Sequence, residues 1–216
     1  MSIADLYRVD TVPFWLKPFF WIYAYGLGLP LLAYCRAVRA TIRLEIAREP
    51  GADERRPCVL CCWHEVIWLM FLTQETLPEL SVLSHPAWYM QPIYVMLRGL
   101  GIRRFVYGSS GYQGREAADR LVATVREYGG FVGINPDGPA GPPKVLKKGA
   151  LHIASQLGLP ITPLRFKCAW KFRSRSWDRK WVPLPFARIR LEVGAPIRVT
   201  PENFDEAAGT LEKALG

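Results

Sequence analysis

Apolar and polar positions along this chain repeat with two periods, and the switch between them marks out its elements. From Cys58 to Trp63 the chain is apolar without a break, the length of a buried strand, and the residues after His64 continue as an apolar helix. The His64 imidazole is thus expected at a strand-to-helix junction, the edge where open α/β sheets place their chemistry. Short apolar runs at 82–84, 104–107, 131–134 and 161–166 read as further strands. Between them lie helical patterns. Residues 91–100 form one, and Ala118, Leu121, Val122, Val125 and Tyr128 mark a second that Gly129-Gly130 stops. Ala150, Ile153, Ala154 and Leu157 mark a third, ended by Gly158 and Pro160. Ile189, Leu191 and Val193 alternate with Arg188, Arg190 and Glu192, as in a half-exposed strand. Thr200-Pro201 signals the start of a closing helix with Phe204, Ala208, Leu211 and Leu215 on one face. Strands alternating with helices predict an α/β domain over residues 51–216.

The first fifty residues behave differently. Pro18 to Cys35 is 18 residues without a charge, near the lower limit of about 17 for a bilayer-spanning helix. Gly26, Gly28 and Pro30 would interrupt a single straight helix, and Trp15, Trp21, Tyr23, Tyr25 and Tyr34 favour the headgroup level. A re-entrant or interfacial helix pair fits as well as a full span, so residues 1–50 are assigned to membrane association. No small-x-small cleavage site follows, against a cleaved signal. Arg36, Arg39 and Arg43 come next, which favours an inner (cytoplasmic) membrane with the α/β domain on the cytoplasmic face.

Composition narrows the partners. The 216 residues suit one domain with a sizeable core, and Trp 8, Tyr 9 and Phe 10 are many for a water-soluble chain. A net charge of +9 calls for an anionic partner: phospholipid, phosphate ester, acidic carrier or nucleic acid. The five cysteines are odd in number and three sit in one apolar run, against a disulfide framework. Cys58, Cys61, Cys62 and His64 have the look of metal ligands, but alternate strand residues point to opposite faces and do not converge, so no metal is expected.

Two loops carry chemistry. Arg103-Arg104-Phe-Val-Tyr-Gly108-Ser109-Ser110-Gly111 sets arginines, glycines and hydroxyls before a helix start, where free backbone N–H groups can receive a phosphate. Asn135-Pro-Asp137-Gly138-Pro-Ala-Gly141-Pro-Pro-Lys144 is a rigid turn holding one acid after a strand, followed by Lys147 and Lys148.

That second loop, with Lys148-Gly149, Ser176-Trp177-Asp178-Arg179 and Pro183-Leu-Pro185-Phe186, resembles the lysophospholipid acyltransferase superfamily, in the branch where a Pro-Asp-Gly-Pro-x-Gly-Pro loop recurs. The likeness runs from about Pro57 to Ile197 and takes in Trp63-His64, Leu100-Gly101-Ile102-Arg103 and Gly108-Ser109-Ser110. It implies a mixed sheet flanked by helices at a membrane surface, and transfer of an acyl chain from a thioester to a hydroxyl of a lysophospholipid or related lipid. The donor would be acyl-CoA or an acyl carrier protein, with no bound cofactor. A hydroxyl is a poor nucleophile, so a neutral imidazole must take its proton during attack, and His64 holds the superfamily's histidine position. The acid that orients the histidine usually lies five positions later. Here that residue is Leu69, which leaves Asp137 or Glu65 as orienting acid and Glu75 as a remote candidate. Arg103, Arg104, Ser109, Ser110, Gly138 and Lys144 are the expected substrate-binding residues.

Two other readings follow from the same residues. Leu69, and Tyr107 where relatives carry arginine, would suit a catalytically silent lipid-binding relative. From Arg165 to Arg190, basic residues interleave with Trp170, Phe172, Trp177 and Trp181, a mixture that serves single-stranded nucleic acid or an anionic bilayer. The apolar N-terminal segment favours lipid, so no nucleic-acid partner is expected.

Overall fold

A computed structural model of the chain describes residues 9, 12–75, 77–108 and 114–216. Helix α1 (Lys17–Thr41) leads into β1 (Arg43–Arg48), and β2 (Val59–Cys61) runs through a 3-10 turn at His64–Val66 into α2 (Ile67–Thr73). Next come β3 (Leu80–Ser84), α3 (Gln91–Leu100), β4 (Arg104–Tyr107), α4 (Gly114–Tyr128), β5 (Phe131–Ile134), α5 (Gly149–Leu157) and β6 (Ile161–Cys168). A hairpin of β7 (Lys171–Arg173) and β8 (Trp181–Pro183) follows, then β9 (Arg188–Val193) and α6 (Phe204–Leu215).

Seven strands form one sheet in the order β1-β9-β6-β2-β5-β3-β4. Only the β6–β9 pairing is antiparallel, so the sheet is mixed, as expected. Helices cover both faces. Leu60, Leu80, Leu164 and Leu191 pack with Val38 of α1, Leu69 of α2 and Met96 of α3. Val59, Cys61, Val132 and Ile161 pack with Leu121 of α4, Leu151 of α5 and Leu211 of α6. This double cover explains why β2 reads as an unbroken apolar run, since a central parallel strand has no solvent side. It also sends Cys58 and Cys62 to one face and Cys61 to the other. All five thiols are free and buried, and burial raises that of Cys58 to about 11. Among the described residues no group of three His, Cys, Asp or Glu could hold a metal ion.

Three expectations change. The N-terminal apolar segment is one helix of 25 residues, not an interrupted pair, with Pro30 inside it. Its Ala24, Gly28, Leu32, Cys35 and Val38 form a buried stripe at three- and four-residue spacing. The two glycines thus differ: nothing lies within 4 Å of where a Gly26 Cβ would be, whereas a Gly28 Cβ would sit 2.7 Å from Val95 Cβ and 2.8 Å from the Pro92 carbonyl oxygen. Gly28 is there for the close approach of α1 to α3. Gly28→Ala is expected to cost about 1 kcal/mol, the middle of an overpacking cost of roughly 1–3 kcal/mol less about 1 kcal/mol of helix propensity regained. A thermal melt checks it, and an unchanged or raised midpoint would count against this packing.

The second change is that β1, inside the stretch assigned to membrane association, belongs to the sheet, paired in parallel with β9 from Arg43↔Arg188 to Arg48↔Val193. Arg36 and Arg39 donate hydrogen bonds to the carbonyls of Gly99 and Gln74, pinning the end of α1 to the sheet domain. Finally, α6 begins at Phe204, because Thr200 and Asn203 exchange side-chain-to-backbone hydrogen bonds in the preceding turn.

Candidate active site

Strands β2, β5 and β6 run parallel side by side, so the loops after them meet at one edge of the sheet. The β2 loop supplies His64, the β5 loop Asp137, and the hairpin after β6 supplies Trp177 and Asp178. The distant motifs converge here. The His64 ring stacks on Trp177, with centroids 5.4 Å apart and planes at 21°. Trp177 rests in turn on Gly141 of the proline-rich turn, where φ is +66° and an added Cβ would lie 2.6 Å from the indole. Glycine is needed there on both counts.

The carboxylate against the imidazole is Asp178. Its Oδ2 lies 2.5 Å from His64 Nδ1, and its side chain is wholly buried. Ser176 Oγ donates to Oδ1 at 2.5 Å, and Lys180 Nζ lies 2.6 Å from Oδ2. Burial works to raise the carboxyl's pKa, but Lys180, Ser176 and His64 outweigh it and hold Asp178 below the usual carboxylate range. With Nδ1 facing an anion, the ring carries its proton on Nδ1 and leaves Nε2 as acceptor. Among the described residues Nε2 has no hydrogen-bond partner. Burial lowers the His64 pKa below its ordinary value and the Lys180 charge adds to this, against the raising effect of Asp178. The imidazole is therefore neutral at neutral pH, in the tautomer a base requires.

Asp137 does something else. Its carboxylate accepts from the His64 backbone N–H, at 3.0 and 3.3 Å, and from the Lys144 N–H at 3.4 Å. It ties the proline-rich turn to the exit of β2, which Asn135 reinforces by donating to the Cys62 carbonyl at 2.8 Å. Burial raises the Asp137 pKa, partly offset by those backbone donors. Glu65 forms an ion pair with Lys144 at 3.1 Å, so neither acid named from sequence is on the ring. Leu69 is fully buried and Glu75 is exposed beyond α2.

The other expected residues scatter. Gly138, with φ +72°, closes the turn by donating to the Asn135 carbonyl, and Lys144 stays at the edge through Glu65. Arg104 opens β4, which runs parallel to β3 and β5, so it starts at the edge opposite His64. There its guanidinium caps the Gly129 carbonyl at 2.7 Å and lies over the Tyr128 ring. Arg103, one residue earlier, shares that far edge, and the anion-binding role expected of both is corrected by the strand's direction. Ser109 and Ser110 lie outside the described residues. What sequence reasoning missed is Asp178, and with it Lys180 and Trp177. The signal was present in the Ser-Trp-Asp segment, but nothing local ties a residue to another 114 positions away.

Comparison with known proteins agrees at the level of fold. The structure is similar to the crystal structure of the 1-acyl-sn-glycerophosphate (LPA) acyltransferase PlsC from Thermotoga maritima, with a TM-score of 0.51 and 14% identity, covering 93% of this chain and 86% of that one. The chain thus shares the fold of that structure, a mixed α/β sheet flanked by helices, with an N-terminal apolar helix. In sequence, the chain is 27% identical over 110 residues to the protein RP090 of Rickettsia prowazekii (strain Madrid E), described only as uncharacterized. The match takes in 51% of this chain, which spans about half the length of that relative. No family profile matches the chain.

Proposed function

We propose that the protein is a membrane-associated acyltransferase that moves an acyl chain from a thioester, carried by coenzyme A or an acyl carrier protein, to a hydroxyl of a lysophospholipid or related lipid. The observation that carries this reading is the buried Asp178–His64 pair, with a neutral imidazole and an unpartnered Nε2 at the carboxyl edge of an acyltransferase-type sheet. His64 Nε2 takes the proton of the acceptor hydroxyl as its oxygen attacks the thioester carbonyl. The tetrahedral intermediate then expels the thiolate, which recovers the proton from the imidazolium. Asp178 keeps the ring in its working tautomer and balances the transient positive charge, as a buried carboxylate does in other acyl-transfer sites. Lys144 and Lys180 set positive charge beside the base, where an anionic substrate group would enter.

Membrane contact is supported by α1 together with the 3-10 turn Phe14–Leu16 that leads into it, a helical stretch long and apolar enough to cross a bilayer that exposes Phe14, Trp15, Phe19, Trp21, Ile22 and Tyr25. The cytoplasmic side is proposed from Arg36 and Arg39 in the last turns of α1 and Arg43 just after it.

The test is turnover of labelled acyl-CoA and acyl carrier protein thioesters with a panel of lysolipids in vesicles. Product formed by the wild type supports the enzyme, and vesicle binding with no turnover on any acceptor would favour the silent lipid-binding relative. The pH profile gives a second check. The working form of His64 is unprotonated, so kcat/KM is expected to rise with pH through a midpoint below 6.5, the ordinary value, and to be flat at neutral pH. An acid limb centred above that value would contradict the assigned environment.

A further inference from the structure

A groove of about 490 Å³ lies on the same edge of the sheet as His64 but does not include it. Leu44, Cys168, Trp181 and Ile189 give it apolar walls, and Arg43, Arg188 and Lys171 give it cations. The register explains its place: Arg43 pairs with Arg188 and Cys168 with Ile189, so the start of β1, the start of β9 and the end of β6 meet beside the hairpin.

The charges divide into two kinds. Arg190 is paired with Glu45 at 3.3 Å, and Lys167 with Glu192 at 2.6 Å. Arg43 and Arg188 are without a carboxylate partner among the described residues, and Lys171 lies over the Trp181 ring at 4.1 Å. The acids of this edge are thus committed while two adjacent arginines are not, and the uncompensated charge calls for an anion. Beside it, Trp170, Phe172 and Phe186 are 65%, 58% and 72% exposed. Phe186 is held outward at a φ of +63°, a conformation that costs a non-glycine residue about 1 kcal/mol or more. Cations beside outward-facing aromatics match a layer in which phosphates lie next to acyl chains.

We infer that this groove binds the phosphate headgroup and upper acyl chain of an anionic bilayer phospholipid, seating the β7–β8 hairpin on the membrane. Arg43 and Arg188 hold the phosphate, the apolar walls take the first methylenes, and Trp170, Phe172 and Phe186 enter the interface. The lipid here is a docking ligand distinct from the substrate at His64. The inference rests on the membrane-surface reading above but does not need the reaction.

The experiment uses the full chain with short-chain phosphatidylglycerol below its micelle concentration, its phosphatidylcholine counterpart, inorganic phosphate, and phosphatidylglycerol vesicles. Binding of the short-chain anionic lipid is expected to be saturable and to weaken about 25-fold in the double variant Arg43→Gln/Arg188→Gln, at about 5-fold for each cation near an anionic surface. A charge-matched control, Arg126→Gln/Lys213→Gln on α4 and α6, neither of which lines the groove, is expected to bind as the wild type does. Equal losses in the two double variants would overturn the groove in favour of uniform charge attraction. Inorganic phosphate binding as tightly as the lipid would overturn it in favour of a free-phosphate site. The two readings fail separately. A groove double variant that binds short-chain phosphatidylglycerol as the wild type does overturns the groove and leaves the membrane contact of α1 standing, whereas a wild type that binds the short-chain lipid but not vesicles overturns the membrane-surface reading and the seating of the hairpin, though not the lipid site.

Discussion

Asp178→Asn is expected to lower kcat/KM for acyl transfer by about four orders of magnitude, the loss seen when a buried carboxylate behind a catalytic histidine is neutralised. The amide keeps the shape of the side chain but can present its NH2 group to Nδ1, which favours the tautomer with the proton on Nε2 and so blocks the base. His64→Ala is expected to remove the same step, and the double variant to be no worse than the single, since the two act as a unit. The pH profile adds a sign. Asp178 raises the His64 pKa, so residual activity in the asparagine variant should show its acid limb at lower pH than the wild type. Asp137→Asn serves as the contrast: it disturbs acceptors for two backbone N–H groups and should move stability more than the chemical step. Full rates in Asp178→Asn with a collapse in Asp137→Asn would reverse the assignment.

The second large effect is at Leu69. Placing aspartate there would recreate the acid that the superfamily carries five positions after its histidine, yet it is expected to unfold the protein rather than help it. Leu69 is fully buried among α1, α3 and the sheet. Losing the leucine alone costs about 2–5 kcal/mol, and a carboxyl without a partner adds several more, a sum comparable with the whole stability of a domain. Leu69→Asp should therefore be insoluble or lack a cooperative melt, while Leu69→Met, which keeps the volume, should fold and turn over normally. A soluble aspartate variant with raised activity would show that position 69 still faces the site.

These two residues also show what could be read from sequence and what could not. The α/β order was legible because each central strand is covered on both faces and each helix on one, so burial wrote its period into the chain. His64 was legible for the same reason, as the polar residue ending an apolar strand. The partner acid is not legible, since nearness in sequence or at the sheet edge favours Glu65 and Asp137, while a hydrogen bond depends on where a side chain points. Glu65 turns to Lys144 and Asp137 to the backbone. Arg103 and Arg104 were misplaced because a motif gives spacing but not strand direction. Strand β1 has only a faint signal, Leu44 and Ile46 alternating with Arg43, Glu45 and Ala47, and the hairpin's two strands have only three residues each.

The 114 residues between His64 and Asp178 also bear on synthesis. An acid one helical turn from its histidine is in place as soon as that helix forms. Here the base leaves the ribosome long before its acid, and β5, α5 and β6 must be made before the hairpin can reach the site. A growing chain carrying His64 thus lacks the carboxylate that fixes its tautomer, and the pair comes together only once most of the sheet has been translated.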